Sequence, residues 1–285
     1  MSIDAAVESV VKRDRVVVLA ALATVVALSW AYLLAGAGMN MSAFEMTHMT
    51  AGGVGMDMMM RPAVWDIRYA GLMFVMWLVM MIAMMLPSAA PMVLLFAAMS
   101  RKQRETGNPF AVTSLFASAY LIAWASFSVL AVGLQWGLDR FALLSPMLVS
   151  ASAALDGTLL LAAGIYQLTP LKRACLRHCR SPLQFILTHW RSGAGGTFCM
   201  GIEHGAYCVG CCWFLMGLLF FGGIMNVYWI IGLAVFVLLE KVTPMGHWLR
   251  NLVGIALIVW GTAVLVGAPP LRFLGWPESV FSAGI

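Results

Sequence analysis

The sequence predicts an all-α transmembrane bundle of about seven spans with its N-terminus in the cytoplasm. Three observations predict it. Of 285 residues, 62% are hydrophobic and only 10% are charged, whereas a soluble domain carries roughly 25% charged residues. The mean hydropathy is +0.91. The apolar residues also come in long runs, and a helix needs about 20 such residues to cross the hydrocarbon core. A net charge of +5 does not point to nucleic acid. The basic residues sit in short clusters between apolar runs, as topology signals do.

The first span is expected from Val16 to about Ala35, behind Lys12, Arg13 and Arg15. Its apolar stretch exceeds the 7–15 residues of a signal-peptide core, so a retained anchor is expected. Residues 36–68 form an outer loop rich in Met, Gly and His. The second span covers about Tyr69 to Met99 and contains Pro87 and Pro91, which predicts a long, tilted or kinked helix. The third covers Val112–Trp136 and the fourth Met147–Leu168. Residues 169–197 form a basic inner segment containing Cys and His. The fifth span covers Phe198–Phe221, the sixth Met225–Leu239 and the seventh Leu252–Val266. With the N-terminus inside, 13 basic residues fall on inner segments and 4 on outer ones. That split follows the positive-inside rule, and the chain is expected to form one integral domain of the inner (cytoplasmic) membrane over residues 1–285.

The fifth span carries the densest chemistry. At 100° per residue, Met200, His204, Cys208 and Cys211 fall within an arc of about 80°. Cys212 flanks that arc and Cys199 points away. Thioether, imidazole and thiol on one helix face suit Cu(I) best, with zinc the alternative. An isolated buried Cys usually just packs. Three thiols with an intramembrane His, which is costly in lipid, argue for more. Gly201 and Gly205 form a small-xxx-small pair beside this face, which admits a close neighbour.

Methionine is the second signal, with 22 in the chain. Met73, Met76, Met80 and Met84 share one arc of the second span, with Met81, Met85 and Met92 beside it. Such a stripe also serves as adaptable core filler. In the outer loop, His48 and Met49 stand among Met39, Met41, Met46, Met56, Met58, Met59 and Met60. A polar loop needs no filler, so these are expected to collect a soft ion. The third signal is Cys175, His178 and Cys179, whose spacing puts all three on one helix face. Lys172, Arg173, Arg177 and Arg180 surround them, and cations favour the thiolate. A metal handover point on the inner side is expected there. Asp156, Glu203 and Glu240 are the remaining intramembrane polar candidates. Asp156 is the best placed for a proton or ion role. Glu240 and Lys241 can also merely mark a span's end, with the lysine snorkelling inward, to the cytoplasmic surface.

Several motifs resemble one family. They are Met84 through Pro91 (Met-Met-Leu-Pro-Ser-Ala-Ala-Pro), Tyr166 through Pro182 with its Cys-Leu-Arg-His-Cys core, His204 through Trp213, and Leu239-Glu240-Lys241. Together they resemble the DUF2182 family of bacterial, predicted metal-binding integral membrane proteins. The resemblance implies a membrane fold and a metal role for the cysteines. The Met-rich loop is less typical of it.

The leading expectation is a membrane protein that binds Cu(I) and hands it on, by transport or by metallating a partner enzyme. Partners would be the bilayer, the metal ion and a metallochaperone or membrane enzyme. A thiol-disulfide oxidoreductase using Cys208 and Cys211, with quinone as acceptor, is the second reading. A structural subunit with silent cysteines is the third. No phosphate loop, Rossmann fingerprint, zincin motif or nucleophile elbow is present, so a binding protein is expected rather than an enzyme.

Overall fold

A computed structural model describes residues 3–39, 41–52, 64–102, 109–145 and 148–267. Among them are eleven helices: α1 (Ile3–Leu34), α2 (Ala43–Gly52), α3 (Ile67–Lys102), α4 (Pro109–Arg140), α5 (Ala153–Leu168), α6 (Pro170–Arg180), α7 (Pro182–His189), α8 (Gly193–Gly217), α9 (Leu219–Gly222), α10 (Val227–Val242) and α11 (Gly246–Leu265). The architecture is an all-α bundle of a membrane protein.

Five helical stretches are long and apolar enough to cross a membrane: Arg15–Leu34, Ile67–Arg101, Phe110–Arg140, Gly193–Gly222 and Gly246–Leu265. The expected fourth and sixth spans, α5 and α10, have 16 residues each, about 24 Å at 1.5 Å per residue. The fourth is shorter than expected and the sixth is shifted towards the C-terminus, both for physical reasons. Ser152 caps the N-terminus of α5 by accepting the Leu155 N–H, so residues 148–152 form a turn rather than a helical start. Pro170 opens a new helix behind the cap Thr169, since the residue before a proline avoids helical backbone. Asn226 caps α10 at the Trp229 N–H.

The helices that traverse the bundle alternate in direction. Trp77 on α3 donates to Gln135 on α4, while Tyr120 on α4 donates to the Met85 carbonyl on α3. These two helices are therefore antiparallel. Gly157 faces Gly261 and Gly164 faces Gly254, so α5 and α11 are antiparallel too. A methyl group on Gly164 would stand 2.8 Å from the Gly254 carbonyl oxygen. These glycines let two backbones touch, the usual way helices associate when lipid removes the hydrophobic drive. By contrast α4 and α8 are parallel: Gly201 lies against Phe116 and Gly205 against Tyr120 and Ala123. The close neighbour admitted by this glycine pair is α4.

One end of the bundle is basic, carrying Arg15 and Arg101, and its layers end at different depths. Lys241, in the last turn of α10, reaches Ser88 on α3. From Ser88, α3 runs on for fourteen residues to Lys102, about 21 Å. The space below α10 is filled by α6 and α7. Phe185 of α7 is buried with Phe96, Phe116 and Met200. Helix α3 itself passes both prolines as one uninterrupted element of 36 residues.

The expected outer loop contains a helix. Ser42 and Glu45 form a reciprocal capping box, the sequence signature of a helix start. Ala43, Met46 and Thr47 of α2 are buried. The Thr47 hydroxyl accepts the Val227 N–H at 3.0 Å. The premise that this segment needs no apolar filler is therefore corrected: Met46 is filler between α2 and the bundle.

Candidate metal centre

Helix α8 buries one face. Met200, His204, Cys208, Cys211 and Cys212 are each at most 2% exposed, and Cys199 is exposed. The six cysteines are free thiols. Cys211 and Cys212 both turn their S–H groups back to the Cys208 carbonyl, at 3.1 and 2.9 Å. Cys212 also points to the Met85 thioether, with the two sulfurs 3.8 Å apart.

Cys208 is the focus. The Lys241 side-chain nitrogen donates to its Sγ at 3.0 Å and to Ser88 Oγ at 3.0 Å. The Tyr120 hydroxyl lies 3.1 Å from the same sulfur. Lys241 and Tyr120 are 6% and 1% exposed. The expected snorkelling of Lys241 to the cytoplasmic surface is thus corrected: the lysine turns into the bundle core, where a sulfur and a hydroxyl offer it hydrogen bonds that lipid does not.

The inner Cys/His segment is not a separate cluster. Helix α6 lies against α8, and Gly210 makes room for it: a methyl group there would stand 3.0 Å from Cys175 Sγ. The Tyr166 hydroxyl donates to the Gly210 carbonyl beside it. The Cys179 side chain neighbours those of Cys208 and Cys211. Five thiols from two helices therefore share one locality. The expectation that neighbouring cations favour thiolate at α6 is also corrected. Burial, followed by the neighbouring Cys211, pushes the Cys175 thiol up. The contacts with Cys208 and Cys211, followed by burial, push Cys179 well up. Arg173 and Arg177 are exposed on another face of α6, where water screens them.

His178 parts from its two cysteines. Its ring stacks on Tyr207 at 4.1 Å and 3°, and its Nδ1 lies 2.9 Å from the Ala174 carbonyl. Met200 stands apart as well, in the lower core with Phe96 and Phe116, where its sulfur accepts the Arg191 N–H at 3.3 Å. His204 lies between the two cores, ringed by Phe116, Tyr120 and Phe185. Its Nδ1 is buried without a hydrogen-bond partner, a costly state for a polar atom. Met80 and Met84 are buried in the same core as Cys208, but Met85 is the thioether that meets a thiol. His48 is exposed on α2. The Met49 side chain and residues 56–60 lie outside the described residues.

Glu203, in the third turn of α8, pairs with His189 at 3.4 Å and Arg191 at 3.5 Å, which precede that helix. Glu240 pairs with Lys172 at 2.9 Å, and Lys172 also donates to Gln167. Asp156 is buried in the first turn of α5, with Oδ1 unpartnered. The sequence marks Lys172 only as one of the cations around the inner cysteines, and it does not single out Tyr120 or Gln167. The available signal was Glu240 itself, since a carboxylate buried in a membrane protein has a partner.

Among the described residues, no three His, Cys, Asp or Glu side chains are arranged around one ion position. The thiols neighbour one another without converging on one point, since Cys211 and Cys212 turn to the Cys208 carbonyl. Thiols and a thioether are donors that suit soft ions, Cu(I) and zinc among them, and the unpartnered His204 Nδ1 is an imidazole donor one helical turn from Cys208.

A family model described as PpoB2, copper chaperone, matches residues 74–264. That interval holds α3 almost entire and everything through α11, including all six cysteines. No curated protein matches, and no solved structure matches.

Proposed function

Since the chain belongs to the PpoB2 family of copper chaperones, we propose that it binds Cu(I) inside the bundle and hands it to an acceptor. Cys208 is the central ligand, with Cys211, Cys212, Cys175 and Cys179 as the thiols around it. Met85 adds a thioether. The observation that carries this reading is the meeting of α6 and α8, which gathers four thiols around the Cys208 sulfur already contacted by Lys241 and Tyr120.

The residues have separable roles. Cys211 and Cys212 hold their S–H groups on a helix carbonyl, so taking up the ion requires them to rotate off it and lose a proton. Lys241 stands where it compensates the negative charge of a Cys208 thiolate. Thiols exchange a soft ion with one another readily because each is a ligand of the same kind, which suits handover between α8 and α6. The buried thioethers Met73, Met76, Met80 and Met84 lead along α3 towards Met85, a path of weaker ligands feeding stronger ones. Weak thioethers feeding stronger thiolates would favour inward travel in the positive-inside orientation, and an energy source or partner would reverse it. Metallation of a membrane enzyme uses the same chemistry with a protein acceptor. The family match favours this reading over a thiol oxidoreductase or a silent structural subunit.

Elemental analysis of the detergent-purified protein under reducing conditions tests it. Copper is expected to copurify near stoichiometry and to disappear in Cys208→Ser/Cys211→Ser. Absence of copper from the native protein after loading with Cu(I) would overturn the assignment.

A further inference from the structure

Helix α6 carries thiols on one face and positive charge on the other. It packs chiefly against α5, α7, α8 and α10, and every residue from 148 to 267 is described. Arg173 and Arg177 are exposed and stand one helical turn apart, so their side chains are neighbours. The carboxylates of this end are already engaged: Glu240 by Lys172, and Glu203 by His189 and Arg191. Among the described residues no acidic group pairs with Arg173 or Arg177. Further positive charge adjoins them. Arg180 is tied to the Thr243 carbonyl at the α10–α11 turn, and Arg250 of α11 feels the charge of both Arg173 and Arg180.

A surface of one sign attracts a partner of the other. An interfacial helix that binds lipid turns its apolar face to the bilayer. Helix α6 instead turns its thiols and Leu176 into the bundle. It shows the outside Arg173, Ala174 and Arg177, with Leu171 in its first turn the one long apolar side chain exposed. Such a face suits a protein's carboxylates better than a lipid surface. Cys175 and Cys179 are half-buried, whereas Cys208, Cys211 and Cys212 are buried. Of the five clustered thiols, the two nearest the outside are thus on the helix that carries the charge.

We infer that α6 is the docking surface for a soluble Cu(I) acceptor whose metal-binding thiols are bordered by carboxylates, with Arg173 and Arg177 orienting it over Cys175. The inference rests on the copper reading and adds the chemistry of the acceptor. Complementary charge speeds encounter and fixes register more than it adds affinity, which suits a partner that must leave with its cargo. In the exchange, an acceptor thiol gives up its proton as its sulfur bonds Cu(I), and the departing Cys175 sulfur takes up a proton. The copper stays in its +1 state and total charge is conserved.

The test uses the whole protein in phosphatidylcholine nanodiscs and two synthetic Cys-x-x-Cys peptides, one flanked by glutamates and one by glutamines. Fluorescence anisotropy reads binding of the metal-free peptides, so docking is measured separately from copper. Transfer of Cu(I) from the loaded protein is followed in parallel. The glutamate peptide is expected to bind and to take copper about fivefold better, the size that two exposed ion pairs supply. About 1 M salt is expected to erase the difference, because the screening length falls to about 3 Å. Arg173→Gln/Arg177→Gln is expected to abolish it with copper content unchanged. Arg177→Glu is expected to reverse it, and decides the matter should the double variant fail to fold. Arg140→Gln, in the last turn of α4, is expected to keep it. Equal binding of the two peptides by the native protein would overturn the docking surface and leave the copper reading standing. Failure of the native protein to load copper would overturn both. A glutamate preference that survives in the α6 variants would overturn the docking surface as well. So would variants that lose only a preference for phosphatidylglycerol nanodiscs, since α6 would then be a membrane contact.

Discussion

Among the described residues two lysines are buried, and they are buried differently. Lys172 is 0% exposed and pairs with Glu240 at 2.9 Å, with Gln167 completing its contacts. Lys241 is 6% exposed, and among the described residues no carboxylate pairs with it. Its partners are a serine hydroxyl and a cysteine sulfur. A buried charge needs a counter-charge, because the interior solvates it poorly. Lys172 has that counter-charge permanently, so the pair fastens α6 to α10. The counter-charge open to Lys241 is a thiolate at Cys208, whose charge depends on whether a proton or a metal ion holds the sulfur. The first lysine is part of the frame and the second is part of the site.

The largest effect that separates them is on stability. Lys172→Met leaves Glu240 buried and unpaired, with Oε1 already lacking a hydrogen bond. Breaking one half of a buried pair costs about 3–5 kcal/mol. The expected outcome is a marked fall in the thermal midpoint in detergent, recovered largely in Lys172→Met/Glu240→Leu, where the charge is gone from both sides. Copper stoichiometry in the folded fraction is expected to stay unchanged in the double variant. A double variant as unstable as the single one would show that Lys172 holds α6 by packing alone.

Lys241→Met is expected to give the converse pattern. A group that orients or charges a metal ligand is worth about 10–100-fold in metal affinity. Competition against a Cu(I) chelator should show a loss of that size, with a thermal midpoint nearer the native one than that of Lys172→Met. Equal copper affinity in Lys241→Met would place Lys241 in the frame with Lys172 and erase the distinction.

Backbone contact supplies a third, intermediate test that touches neither lysine. Gly164→Ala would put a methyl group 2.8 Å from the Gly254 carbonyl. The α5–α11 pair must then part, at roughly the 1–3 kcal/mol of an overpacked core. Thermal unfolding reads this, and because α5 carries Gln167, copper binding should follow only if α6 moves with α5.

Much of the frame is legible along the chain and the site is only partly so. Hydropathy alone marks α1, α3, α4, α8 and α11. The ends of α5 and α10 are set by Ser152, Thr169-Pro170 and Asn226, caps that a hydropathy count does not see. On α8 the period of 3.6 residues correctly groups the buried Cys208, Cys211 and Cys212, because one helix fixes its own face. Periodicity fails where the answer depends on a second helix. Cys175, His178 and Cys179 share a spacing, yet Gly210 admits Cys175 while Tyr207 takes the His178 ring. The pairing of Lys241 with Cys208 joins residues 33 apart in sequence, and no local rule brings them together.

The methionines give the smallest and sharpest comparison, since the stripe and its neighbour differ by a few residues on one helix. Met80 and Met84 belong to the expected stripe and are buried in the core. Met85 lies beside the stripe, and its sulfur is 3.8 Å from Cys212. A thioether is a weaker ligand than a thiolate, and Leu matches Met closely in volume, so these swaps cost about 1.5 kcal/mol or less in packing. Met85→Leu is therefore expected to lower Cu(I) affinity by only a few-fold, and Met80→Leu to leave it unchanged, with both variants near native stability. If Met80→Leu instead slows copper loading while leaving the equilibrium untouched, the stripe is a route and Met85 its end. If neither variant changes rate or affinity, the α3 methionines are filler, and the site is built from the cysteines of α6 and α8 alone.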